Sequence, residues 1–226
     1  MNASALLHLL QLSSPSLPIG AYSYSQGLEA ALESGLVHDE ASARAWIIQA
    51  LRQVVARFEA PVLWRLLRAF DAADGDAVRH WTERFLAARD TAEFRAETVQ
   101  MGYSLGKLAA ELKLPRPELL ALLQSQPELP LPTALAYAAV ALDVPHEAAL
   151  LGMLFSWAEN QVLVCVKSVP LGQVAGQRLL LSLRPELEAA ALTAQALADD
   201  ELCNWSPGLS LLSMRHEVQY SRLYRS

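Results

Sequence analysis

The sequence predicts an all-α protein, a single-domain bundle of about ten helices, and three observations carry that prediction. Leu and Ala together supply about 80 of the 226 residues, whereas Val, Ile and Thr supply only about 22. That ratio favours helix over strand. Apolar residues make up 53% of the chain against 19% charged, enough apolar surface to offset the ordering entropy that keeps polar chains unfolded. Apolar positions recur at helical spacing along nearly the whole length, with no linker long enough to separate a pair of domains.

Ala3 to Leu12 places Leu6, Leu7, Leu9 and Leu10 at helical spacing, and Pro15 and Pro18 forbid its continuation. Beyond Gly20 a second helix is expected, capped by Ser23 with Gln26 completing a capping box, and ended by Gly35. Asp39 caps a long helix from about Glu40 to Phe70, whose apolar face holds Trp46, Ile47, Leu51, Val54, Val55 and Phe58; Pro61 should kink or divide it. After the DAADGD loop, Ala77 to Ala88 reads as a helix carrying Trp81 and Phe85. Asp90 or Thr91 caps the next, which runs to about Leu112, and Pro115 and Pro117 lead into a helix over Glu118 to Gln124. Three prolines between Gln126 and Pro132 make a loop. Helices then follow at about Thr133 to Leu142, Glu147 to Ser168, Leu171 to Leu183 and Glu186 to Ala198. The most apolar long stretch, Ala148 to Val169, could span a bilayer by length, but Glu159, Asn160 and Gln161 at its middle would be costly there. It reads as a buried helix, and no membrane partner is expected. Residues 209–226 form a C-terminal tail, either helical or ordered only by a partner.

The chemistry is informative for what it excludes. A formal charge of −6 argues against nucleic acid as a partner, since phosphate binding rests on a surplus of Lys and Arg. Cys165 and Cys203 stand far apart with no CxxC neighbour, which suits a reduced cytosol and neither a zinc ribbon nor a disulfide framework. GYSLGK, Gly102 to Lys107, has the wrong glycine spacing for a phosphate-cradling loop. No two of the five histidines pair at i, i+3 or i+4, and no serine sits in a GxSxG elbow. Catalytic residues, cofactors and metals are therefore not expected. His38-Asp39-Glu40 and His216-Glu217 read as solvated helix-end clusters. A mean hydropathy of +0.19 is high for a lone soluble domain and points to association.

Three segments are richer than a plain bundle requires. In SSPSLPIGAYSYSQGLE, Ser13 to Glu29, Tyr22 and Tyr24 flank a proline- and glycine-fixed turn, either as interface anchors or as core tyrosines. In KSVPLGQVAGQRLL, Lys167 to Leu180, Gly172 and Gly176 share one helix face and Gln173 and Gln177 an adjoining one. Two interior glycines imply a close backbone approach, within the chain or at a subunit interface. In MRHEVQYSRLYRS, Met214 to Ser226, Arg215, Arg222 and Arg225 face one acid, Glu217, giving a local +2 that leaves about −8 on the remainder. Tyr220 and Tyr224 lie four apart in this tail, which either docks on a partner or frays.

Four runs, LLQLSSPSLPIGAYSYSQGLE (Leu9 to Glu29), EFRAETVQMG (Glu93 to Gly102), VPLGQVAGQRLL (Val169 to Leu180) and HEVQYSRLYRS (His216 to Ser226), resemble the UreF family of urease accessory proteins, in that family's order and over almost the whole chain. The resemblance implies an all-helical, cytoplasmic homodimer that acts in urease maturation. It further implies a place between the scaffold UreD (also called UreH) and the nickel-carrying GTPase UreG, where the protein gates GTP-dependent nickel insertion into apo-urease without catalytic residues of its own. Tyr22, Tyr24, Glu29, Glu93, Arg95, Gln100, Lys167, Gln173, Gln177, Tyr220, Ser221, Arg222, Tyr224 and Ser226 fall on the family's motif positions and are the expected partner-binding residues. Glu93 has a competing role three residues after Asp90, as a capping-box partner. Two rivals remain: a plain dimeric adaptor without influence on GTPase or nickel chemistry, and a small helical hydrolase using Ser23 with His38 and a carboxylate.

Overall fold

The computed structural model describes residues 1–169 and 171–226, so that Pro170 of the PLGQ string lies outside the described residues. Among the described residues there are twelve α-helices and no strand. They are α1 (Ala3–Leu12), α2 (Leu28–Glu33), α3 (Glu40–Ala50), α4 (Ala60–Asp71), α5 (Gly75–Ala87), α6 (Ala92–Glu111), α7 (Pro117–Gln124), α8 (Leu131–Ala141), α9 (His146–Ser168), α10 (Gln173–Ser182), α11 (Arg184–Ala196) and α12 (Pro207–Glu217). The all-α expectation holds. Short side chains start several helices as anticipated: Asp39 accepts from the Ser42 amide in a capping box, and Thr91 rather than Asp90 caps α6, accepting from the Phe94 amide.

One local expectation gives way, and another takes a particular form. Ser23 does not cap a helix: Ala21–Ser23 form a 3-10 turn, and α2 begins only at Leu28. Gln26 (φ 56°) and Gly27 (φ 79°) both turn left-handed, and the Gln26 amide is drawn inward to Glu97 and Trp157 rather than back to the cap. At Pro61 the helical path continues, and the expected division falls just before it, where a π-helical segment gives way to α4. The chain runs from α3 into α4 through a π-helical segment, Leu51–Glu59, in which the Ala60 amide donates to Val55 five residues back. Proline has no amide and its ring collides with the carbonyl four residues earlier. That carbonyl, on Arg57, is turned outward to accept the Cys203 amide at 3.1 Å.

The core is built around α4, whose Leu63, Leu66, Leu67 and Phe70 are fully buried against α5, α8 and α9. Phe70 meets Tyr137 of α8 with ring centroids 6.0 Å apart. α6 lies across α8, and at their contact Gly102 is obligatory, because a Cβ there would fall 2.1 Å from the Leu129 carbonyl oxygen. The helix α9 is long and apolar enough to cross a membrane, yet here it packs against α1, α2, α4, α10 and α11. Two of the polar residues at its middle bond the first turn: Asn160 donates to the Tyr24 carbonyl at 2.8 Å and Gln161 to the Ser25 carbonyl at 3.3 Å. Gly172 is the N-cap of α10 and not an interior glycine, so only Gly176 serves a close approach. That approach lies within the chain, since a Cβ at Gly176 would stand 2.5 Å from Val166 Cγ2 on α9.

Gly102→Ala is expected to destabilise the fold by about 2 kcal/mol or more, because backbone and not a flexible side chain blocks the methyl group. Gly208→Ala, in the first turn of α12 with nothing within 4 Å of the added atom, should stabilise by up to about 1 kcal/mol. Urea unfolding of the two variants against the parent chain checks both signs.

Candidate functional site

Three of the four recognised runs converge on one buried polar knot, and the middle of α9 forms its floor. At the centre is His216, fully buried in the last turn of α12. Its Nδ1 lies 3.0 Å from both carboxylate oxygens of Glu93, in the first turn of α6, and its Nε2 lies 2.9 Å from Glu29 Oε2, in the first turn of α2. The placement suits the helix dipoles, with acids at two N-termini and a basic ring at a C-terminus. A carboxylate only accepts, so the bridge is complete when the ring carries a proton on each nitrogen. Arg222 Nη1 donates to Glu93 Oε1 at 3.1 Å, so that Glu93 serves the ring and the tail together.

Glu29 also holds the tail. Its two oxygens accept the backbone amides of Leu223 (2.6 Å) and Tyr224 (2.9 Å). The tail then runs beside the YSYSQG turn: the Arg225 amide donates to the Ser23 carbonyl at 2.8 Å and the Ser25 amide to the Ser226 carbonyl at 2.7 Å. Ser226 Oγ donates to Glu97 Oε2 at 2.5 Å, Gln26 Nε2 to Glu97 Oε1 at 2.8 Å, and Trp157 Nε1 to Gln26 Oε1 at 2.7 Å. Burial pushes the Glu97 carboxyl up to about 7, although its bonds from Ser226 and Gln26 favour the charged form. Burial likewise raises the phenols of Tyr24 and Tyr224. Tyr24 OH donates to Gln100 Oε1 at 3.1 Å, and Lys167 Nζ stands 5.8 Å from the centre of the buried Tyr224 ring.

Of the residues singled out from sequence, the structure therefore gathers Tyr24, Glu29, Glu93, Gln100, Lys167, Arg222, Tyr224 and Ser226. Tyr24 and Tyr224 are core tyrosines. Glu93 is not a capping-box partner of Asp90, because Thr91 takes the cap and leaves its carboxylate free for His216. Arg95 lies elsewhere, donating to the Leu86 carbonyl at 3.1 Å and to Glu128. Gln173 and Gln177 are on the solvent face of α10, and Tyr22, Tyr220 and Ser221 are exposed. His216, Glu97, Ser25, Gln26, Trp157, Asn160 and Gln161 belong to the knot and were not singled out. The expectation that His216 is a solvated helix-end residue is wrong. Leu209, Leu212, Ser213 and His216 recur at i, i+3, i+4 and i+7, the inward stripe of α12, and that spacing could have placed it.

The arrangement can hold a chain segment with charge-assisted hydrogen bonds. Among the described residues no group of three or more His, Cys, Asp or Glu is placed to hold a metal ion, the His216 ring itself filling the space between the carboxylates. Ser23 and His38 share no hydrogen bond among the described residues; His38 Nδ1 faces the Gly35 carbonyl instead. Beside the knot, the outer side of α12 carries Leu211, Met214 and Val218 in the open, next to a groove shared with Leu36 and Trp46 of the α3 side and with Trp205.

The UreF family profile matches residues 37–184. A urease accessory protein UreF from Janthinobacterium sp. (strain Marseille) is 79% identical over 226 residues, 100% of both chains. One from Nitrosospira multiformis is 65% identical over 222 residues, 98% of each chain, and one from Azoarcus sp. is 50% identical over 223 residues, 98% of this chain and 95% of its own. These likenesses extend past the profile at both ends, over the segments that supply Glu29 and the tail.

His216→Ala leaves two buried carboxylates facing each other and should cost about 3 kcal/mol or more in urea unfolding. Arg95→Ala, which removes a half-exposed pair with Glu128, should cost less than about 1 kcal/mol in the same measurement.

Proposed function

The chain belongs to the UreF family of urease accessory proteins, which are maturation factors, and from that premise we propose that it bridges the UreD/UreH scaffold and the UreG GTPase and gates GTP-dependent nickel insertion into apo-urease. In this reading it works in the cytoplasm as a homodimer, nickel is cargo of the complex, and GTP is hydrolysed by the partner. Its own contribution is a shaped surface.

The observation that carries this reading is how the signature residues divide. Glu29, Glu93 and Arg222 are used internally to fix the tail, while the neighbouring apolar and aromatic side chains are turned outward: Val218 is 84% exposed, Leu223 66% and Tyr220 fully. With Leu211 and Met214 of α12 they make a larger apolar surface than a solitary chain needs, and the exposed Arg215, Arg222 and Arg225 rim it with positive charge on a protein of net −6. Tyrosine and arginine on a prefixed backbone lose little entropy on docking. This tail side is assigned to the scaffold. A second exposed strip on α10, with Gln173, Val174, Gln177 and Leu181, is assigned with Lys167 to the twin subunit or the GTPase. Tyr22, exposed on the first turn, is a further anchor for a partner.

Tyr220→Ala combined with Val218→Asp should lower scaffold affinity at least tenfold while leaving the unfolding midpoint unchanged, as read by titration calorimetry; unchanged affinity would remove the tail side from the interface. In the reconstituted complex, GTP turnover by the GTPase should differ with and without this chain, and nickel transfer to apo-urease should follow it. No dependence in either direction would leave the plain dimeric adaptor standing.

A further inference from the structure

The segment beyond Ser221 is fastened by few groups. Only Tyr224 and Ser226 are buried, while Arg222, Leu223 and Arg225 are exposed. The remaining hold comes from Arg222 on Glu93, the amides of Leu223 and Tyr224 on Glu29, the exchange of main-chain bonds with Ser23 and Ser25, the Ser25 hydroxyl on the Ser226 carbonyl, and the Ser226 hydroxyl on Glu97. A segment with so few apolar contacts opens at much lower cost than the core.

Glu97 sits at the inner end of that segment, fully enclosed. The groups around it come from every neighbouring element: Gln26 and the Tyr24 phenol, itself beside Arg225, from the first turn, Ser226 from the tail, Trp157 from α9, Glu59 from the end of the π segment and Arg89 from just beyond α5. Among the described residues no cation touches its carboxylate. Arg89 Nη1 is bound to Glu59 Oε1 at 2.6 Å, and Arg222 is bound to Glu93. Glu59 opposes a second negative charge, and Arg89 favours it only at a distance.

We propose that Arg222–Ser226 is a proton-governed clasp, closed on the body while Glu97 is neutral and released as Glu97 becomes charged. A charged carboxylate enclosed without a cation is costly, and lifting Ser226 off it admits water. The sign follows from linkage. The closed state holds the Glu97 proton up to about pH 7, while an opened, hydrated carboxyl loses it in the ordinary carboxylate range. Protons therefore favour the closed clasp. As pH rises from about 5 the opening equilibrium grows, by at most about tenfold per pH unit, and it levels off above about 7. At the outer end the His216 bridge also steadies the tail through Glu29, so the effect of Glu97 is separated from it by substitution. The clasp concerns this chain alone and stands whichever partner meets the tail side. When it opens, the YSYSQG turn loses its cover, and the proton becomes a control on what surface the protein offers.

The test is hydrogen exchange of the intact chain between pH 5 and pH 9, with intrinsic rates divided out. The amides of Leu223, Tyr224 and Arg225 should lose at least tenfold protection between pH 5 and pH 7.5 and then level off, while α4 amides stay far better protected. In Glu97→Gln, whose single amide oxygen still accepts from Gln26 while its NH2 donates to the Ser226 hydroxyl, and which cannot ionise, the same amides should change less than threefold. A flat parent profile, or an equally steep fall in Glu97→Gln, overturns the proposal. Should that variant fail to fold, Glu97→Met, of similar volume and equally unable to ionise, takes its place: a change below threefold supports the proposal, and a fall as steep as the parent's overturns it.

Discussion

The His216 ring, held between the carboxylates of Glu29 and Glu93, is the constraint on which the rest of this structure depends. It ties together helices whose residues stand 187 and 123 positions apart in the chain. Closing contacts of that separation costs loop entropy, but the cost grows only slowly with length and the helical bundle bears most of it. Buried ion pairs add little net stability against an apolar alternative, whereas removing one partner is expensive. The bridge therefore acts more to specify one arrangement of α2, α6, α12 and the tail than to hold the bundle together. Glu29 makes the arrangement selective, since only a tail lying in one register brings the Leu223 and Tyr224 amides to its two oxygens.

Distortions elsewhere become intelligible once the knot is in place. The late start of α2 and the left-handed turn at Gln26 and Gly27 aim Ser25 at Ser226 and Gln26 at Glu97. The close seat of Gly27 under α12 has the same effect, for a Cβ there would lie 3.0 Å from Leu209 Cδ1. The π-helical segment before Pro61 ends at Glu59, which turns to Arg89, and the Arg89 guanidinium stacks over Phe85 at 4.3 Å. Widened helical turns of this kind recur where a helix must present a polar group to a functional site. The polar middle of α9, costly in any apolar setting, supplies donors to the first turn from below.

The helical architecture was legible in the sequence because Leu and Ala recur with helical period and prolines and glycines mark the ends. Boundaries drawn from such marks fell close to the observed ones from α3 through α11. What failed were local rules overruled at long range. Ser23 and Gln26 fit a capping box, yet Gln26 does more for the fold by reaching Glu97 and Trp157. Glu93 fits one with Asp90, yet Thr91 serves and frees the acid. Gly172 and Gly176 look equivalent four residues apart, but one caps a helix and the other receives Val166. The candidate residues were found through the family strings, while their grouping was invisible, because nothing in a linear pattern says that His216 faces inward between two acids.

The most direct test of the central claim is a double-mutant cycle on Glu29→Gln and His216→Gln, read by urea unfolding of the two single variants and the double variant. A bridge that organises the site predicts a coupling energy of about 2 kcal/mol, the double variant being far less damaged than the sum of the singles. Costs that simply add would contradict it, and would reduce the buried histidine to one more packed side chain.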